Sequence, residues 1–201
     1  MSVMMDIIFA AFIGGVICLI VINANFVINE TVATYNSTVV VQQMLIADAQ
    51  IVESEFRNIG CGVSDTADAK IKQAMDTSIT FYMALRPEPT SIPIEILYYS
   101  GSTTELPVTD NPNDRYLYRK EGNEAVERVG IVTKFNLAYY NILNEIMGTP
   151  VQDDSLISIK LVEVTLEVQS PYSSYVDEYG NKRFASALWK QTRLASQNLR
   201  R

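Results

Sequence analysis

The chain has 201 residues, with 16 Lys and Arg against 23 Asp and Glu, two Cys and no His; 48% of it is hydrophobic and 19% charged. The absence of imidazole removes the commonest general base and metal ligand, which counts against hydrolytic chemistry, and a net charge of −7 disfavours nucleic acid, whose binders need a basic surface to displace counterions. Cys18 and Cys61 are too few for a disulfide framework or a zinc site and read as small buried apolar groups.

From Ile7 to Ile28 there is no charge, and the only polar residues are Asn23 and Asn25. A helix needs roughly 20 apolar residues to cross about 30 Å of hydrocarbon, so residues 1–28 are expected to form a transmembrane or filament-core helix. A buried core helix is the competing reading, but such helices carry a polar stripe, and none appears before Asn23. A secretory signal would put Lys or Arg ahead of a shorter apolar core, whereas the first cation here is Arg57.

Residues 29–62 read as an amphipathic continuation of the same helix. Neither Pro nor Gly interrupts Asn29 to Ile59. Val41, Met44, Leu45, Ile51, Val52, Phe56 and Ile59 recur at helical steps, while Gln42, Gln43, Asp48, Gln50, Glu53 and Arg57 fall largely elsewhere on the wheel. Gly60 and Gly62 then supply the left-handed positions that stop helices. A single rod over residues 6–59 would be about 80 Å long. Gly14-Gly15 and the β-branched stretch Thr38 to Val41 are its places to bend. On such a rod Cys18 and Cys61 stand about 65 Å apart and cannot pair within one chain.

Residues 63–201 change period and read as a globular head. Ser64 to Met75 is expected to form a short helix, capped by Ser64 or Asp65. Strands follow over Ile79–Ala84, Ile94–Tyr99, Arg115–Arg119, Ala125–Val129, Lys134–Tyr140 and Ser158–Gln169. In the last, apolar parity switches at Leu161-Val162, which reads as a bulge or bend. Turn residues such as Gly101, Asp110-Asn111-Pro112-Asn113 and Glu121-Gly122-Asn123 join the runs, so the strands should form an antiparallel meander with one face on the helix. The expected fold class is α+β, a long N-terminal helix packed on an antiparallel β-sheet head.

Four stretches together resemble the type IV pilin-like proteins, in particular minor pilins and pseudopilins of the PilW and PulJ type. They are the uncharged helix that opens just after Asp6; Val41-Gln42-Gln43 through Glu55-Phe56-Arg57-Asn58-Ile59-Gly60; Tyr98 with Tyr116-Leu117-Tyr118-Arg119 and Val129 to Tyr140; and Ser158 to Ser170. The family's charged leader ending in Gly is not seen ahead of Asp6. Removal of Met1 alone would make Asp6 the fifth residue, with Asp in place of the usual Glu. The resemblance implies a structural, non-enzymatic subunit of a bacterial envelope filament or pseudopilus. Its partners would be copies of itself or other pilin-like subunits, with residence in the inner membrane before assembly. The candidate assembly residues are Asp6, Phe9, Phe12, Gly14, Gly15, Ile17 and Leu19.

Physical chemistry gives Asp6 a role of its own. A carboxylate at the edge of an apolar span is costly unless it is paired or reaches the interface. The α-amino group of a staggered neighbour would neutralise it and set register at once; a place in the headgroup layer is the alternative. Elsewhere, Asp110, Asn113 and Asp114 offer oxygen ligands of the kind calcium takes, although most such loops are only turns. Tyr172, Tyr175 and Tyr179 read as solvated loop decoration or an exposed recognition loop. No catalytic residue or cofactor site is assigned. Residues 182–201 hold six bases and no acid, while residues 1–63 hold five acids and one base, a polarity that favours salt-sensitive contacts between staggered copies. The alternative function is a membrane-anchored, non-catalytic binding domain within an envelope complex.

Overall fold

The computed structural model describes residues 2–63, 70–84, 92–177, 179–194 and 197–199. Helix α1 runs unbroken from Ser2 to Phe56, through both places where propensity is low. At the second, Thr38 donates its hydroxyl to the Thr34 carbonyl at 2.9 Å, so the side chain is satisfied within the helix and does not compete with it. The chain leaves the helix where Gly60 and Gly62 take φ of +76° and +74°, values that a Cβ disfavours.

Beyond the helix the head is antiparallel throughout. Strands β1 (Ile71–Ala74), β2 (Ser78–Met83), β3 (Ile94–Ser100), β4 (Arg115–Glu121) and β5 (Glu127–Val132) form a meander in sequence order. Thr133 alone then separates β5 from β6 (Lys134–Tyr140), and its N–H donates to the Glu167 carbonyl at 2.8 Å. That contact turns the chain into a second sheet. β6 pairs with β7 (Ile146–Met147) on one side and β8 (Leu161–Gln169) on the other. A small hairpin, β9 (Tyr175–Val176) with β10 (Lys182–Arg183), follows β8, and β11 (Ser186–Leu194) closes the order β11-β8-β6-β7. The strands therefore make two sheets and a hairpin where one meander was expected, because β6 finds its partner in β8, far along the chain, and not in its neighbour β5.

Two local expectations are corrected. Residues 64–69 lie outside the described residues, and the remainder of the expected helix is β1. Its Ile71 and Ala74 are both buried because the pairing with β2 shifts register between Ile71 and Gln73. A bulge thus places two inward residues three apart and imitates a helical spacing. At Leu161-Val162, where a bulge or bend was expected, the pairing with β6 is regular, and the shift of register lies on β11, between Gln191 and Leu194, opposite Val164 and Val162. Ahead of β8, Asp153–Ser158 forms a 3₁₀ turn; Leu156 within it and Ile159 just after it are buried while Ile157 is exposed, the spacing of three that such a turn imposes.

The core begins at Val41. From there Val41, Leu45, Ala49, Val52, Phe56 and Ile59 of α1 are all buried, at steps of three and four that keep one face inward. Ile51 lies off this stripe and is exposed, and Asp48, expected on the polar side, is buried within it. Phe56 meets Phe81 and Tyr98 edge-on, with ring centroids 5.4 and 5.5 Å apart, a geometry worth about 0.5–1.5 kcal/mol per pair beyond area burial. On β8, Val162, Val164, Leu166 and Val168 are fully buried and alternate with Glu163, Thr165 and Glu167, as a sheet with one covered face requires. Neither cysteine is buried as expected: Cys18 is exposed on the part of α1 with no sheet beside it, and Cys61 is half-buried.

Candidate functional site

From Val3 to Ala33 α1 projects from the head with its side chains exposed, and Thr34 is the first half-buried position. The helix is long and apolar enough to cross a membrane, and none of its most apolar 18-residue window is buried. Phe9, Phe12, Ile17 and Leu19 are 59, 70, 56 and 62% exposed. A Cβ added to Gly14 or Gly15 would meet no atom within 4 Å. At about 100° per residue, Asp6, Phe9, Phe12, Gly14, Gly15, Ile17 and Leu19 point around most of the circumference and are not gathered on one face. A helix that is apolar all round requires an apolar surround on every side, and burial of each Phe, Leu or Ile side chain is worth about 1.5–3 kcal/mol. Asp6 is exposed at the start of this segment, and among the described residues no cation pairs with it.

At the other end of the helix a charge cluster joins α1 to the head beside its buried apolar stripe. Arg119 of β4 shares Leu117's side of the strand, so strand periodicity turns a cation toward the core. There its Nε donates to Glu55 Oε1 and Oε2 at 2.9 and 3.0 Å, and one terminal nitrogen reaches Glu121 at 2.8 Å. Tyr98 donates its hydroxyl to Glu55 Oε2 at 2.6 Å. Burial opposes the charge on Arg119, but its bonds to Glu55 and Glu121 prevail and hold its pKa above the usual guanidinium value; burial and the Glu55 carboxylate likewise raise that of Tyr98. Such forked, charge-assisted bonds specify geometry as well as energy. Glu55 and Arg119 stood in two of the stretches that carried the resemblance, yet nothing in their sequence spacing joined them. The available signal was the parity of Arg119 with Leu117.

The acidic loop is organised by neighbours within the head. Asp110 pairs with Lys182 at 3.0 Å. Asn111 is buried and donates to Gln169 Oε1 at 2.9 Å, while its own Oδ1 accepts from the Asn113 N–H at 3.1 Å. Asp114 is buried with neither carboxylate oxygen hydrogen-bonded, and burial raises its pKa. Asp110, Asn113 and Asp114 therefore have three different surroundings, and among the described residues no cluster of three acids, Cys or His could hold a metal ion. Tyr172, Tyr175 and Tyr179 are exposed on and beside the β9–β10 hairpin.

No protein-family model, curated protein or solved structure matches the chain. The fold and the exposed apolar half of α1 are therefore the grounds for a functional reading.

Proposed function

We propose that the chain is a structural subunit of a type IV pilus-like filament or pseudopilus. In this reading the first half of α1 lies in the inner membrane of a bacterial envelope before assembly and in a bundle of neighbouring helices afterwards. The observation that carries the reading is the continuity of α1. One helix holds both an exposed segment that is apolar all round and a core-forming stripe, with no linker between them. A simple tether tolerates a flexible connection of Gly, Ser or Pro. A rigid rod instead holds each head at a set distance and angle from the segment that must be covered, which is the requirement for packing copies in a regular stagger.

Asp6 would supply register. Placed at the border of the apolar segment, its carboxylate is costly in hydrocarbon and is best compensated by the α-amino group of a neighbouring copy, one contact that neutralises two charges. No catalytic role is assigned to any residue. The test is reconstitution or expression with an assembly system followed by cryo-electron microscopy. Helical filaments with bundled α1 segments are expected, and Asp6→Asn should cut their yield while the head keeps its fold. Normal filament yield from Asp6→Asn would remove the role given to Asp6. A chain that stays monomeric in membranes and detergent under all assembly conditions would favour the anchored binding domain instead.

A further inference from the structure

The β9–β10 hairpin exposes several aromatic side chains. It leaves and re-enters the second sheet at one place, where the Ser170 N–H donates to the Ala185 carbonyl at 2.8 Å. Asp177 organises its tip. Oδ1 accepts from the N–H groups of Tyr179 and Asn181 at 3.0 and 2.8 Å, and Oδ2 pairs with Arg183 at 2.8 Å. Held in this way, the hairpin and its stem expose Tyr172, Tyr175, Val176 and Tyr179 by 62, 45, 58 and 86%.

The position of the hairpin along α1 gives these residues a partner. Tyr175 lines an open cleft with Glu30, Thr31, Thr34 and Tyr35 of the helix. These positions begin two residues beyond Ile28, where the uncharged segment ends, and at 1.5 Å per residue they lie about 3–10 Å past it. The polar headgroup layer on one side of a bilayer is roughly 5–8 Å thick. If Ile7 to Ile28 fill the hydrocarbon, Tyr175 in the first strand of the hairpin stands at headgroup depth beside the helix. Tyrosine suits that level, because its ring is apolar and its hydroxyl is wet. The sequence from Ser174 to Arg183 has Asp177 and Glu178 against Lys182 and Arg183, and Lys182 is also paired with Asp110. With no cationic surplus, the surface fits zwitterionic headgroups.

We infer that the β9–β10 hairpin, with Tyr172, Tyr175, Val176 and Tyr179, is a membrane-interface contact that seats the head on the phospholipid headgroups of the bilayer crossed by α1. This rests on the membrane-spanning part of the functional reading above. It fixes the height and tilt of the head before assembly, since α1 and the hairpin are two points of attachment to one surface.

The test uses the full chain in phosphatidylcholine vesicles, with Trp189→Phe removing the one native tryptophan. Tyr179→Trp and Ile17→Trp are then introduced separately, both at exposed positions, and circular dichroism checks the fold of each. Quenching is compared between lipids spin-labelled at the headgroup and deep in the acyl chain. The inference expects the probe at position 179 to be quenched at least twofold more by the headgroup label, and the probe at 17 by the deep label. Deep quenching at 17 with none at 179 overturns the hairpin contact and leaves the membrane span standing. No quenching at either position overturns both. Protection of the 179 probe that appears only when copies assemble would assign the surface to a second copy and likewise defeat the inference.

Discussion

The carboxylate of Asp48 lies directly over Gly130 of β5: a Cβ added to Gly130 would meet both carboxylate oxygens well inside van der Waals contact. Gly130 is not in the left-handed region, so the close approach of the helix, and not backbone conformation, demands glycine there. Gly130→Ala should therefore cost about 1–3 kcal/mol, the usual penalty of overpacking. Asp48→Ala should relieve much of it, so the double variant is less destabilised than the sum of the singles. Denaturant unfolding of all four proteins measures this, and strict additivity would show that the contact is not the cause.

Asp48 also makes the stability of the head depend on pH. Burial, with Oδ2 lacking any hydrogen-bond partner, pushes its pKa up to about 7 from 3.8. A carboxyl whose pKa is higher folded than unfolded favours folding most below the unfolded value, and that contribution is lost as pH rises from about 4 to 7. Asp48→Asn, always neutral, should match the wild type at pH 4 and exceed it at pH 8 by at most about 4 kcal/mol. Asp114 shifts in the same direction, so the comparison must be the difference between the two proteins across pH. A difference that does not change with pH would mean that Asp48 titrates normally.

The bond of Arg119 to Glu55 predicts unequal costs for two arginines. Arg119, with its side chain 12% exposed, holds Glu55 and Glu121, so Arg119→Ala leaves enclosed carboxylates unpaired and should cost about 3–5 kcal/mol. Arg57 makes a shorter contact with Glu53, at 2.5 Å, but its side chain is 58% exposed, and Arg57→Ala should cost less than about 1 kcal/mol. Thermal or chemical melting of both variants decides the matter. Equal losses would place the helix–sheet attachment in apolar contacts alone.

Because no buried core residue precedes Val41 among the described residues, the front of α1 should be dispensable for folding. A chain of residues 29–201 is expected to be monomeric and water-soluble, with a stability within about 0.5 kcal/mol of the detergent-held full chain when both are measured in the same detergent. Light scattering and denaturant melts test this. Unfolding or aggregation of the shortened chain would show that residues before 29 contribute to the head.

The helix and most strands were legible because their signals are local. An uncharged segment of membrane length, an apolar stripe at steps of three and four, and the alternation within Leu161 to Gln169 each follow from a single element's periodicity. Where two structures share a spacing, local reading failed. Ile71 and Ala74 are three apart through a bulge, and Leu156 and Ile159 through a 3₁₀ turn, and neither cause is visible without the partner strand or the turn itself.

By itself the sequence determined that one part of α1 must be covered by something apolar, since hydrophobic burial depends on composition and periodicity that a single helix already contains. Tertiary structure alone decided that Asp48 presses on Gly130, that Arg119 grips Glu55, and that Tyr175 stands beside Glu30 to Tyr35. Those pairings join residues far apart in the chain, and their geometry is set by how two sheets and a helix pack together.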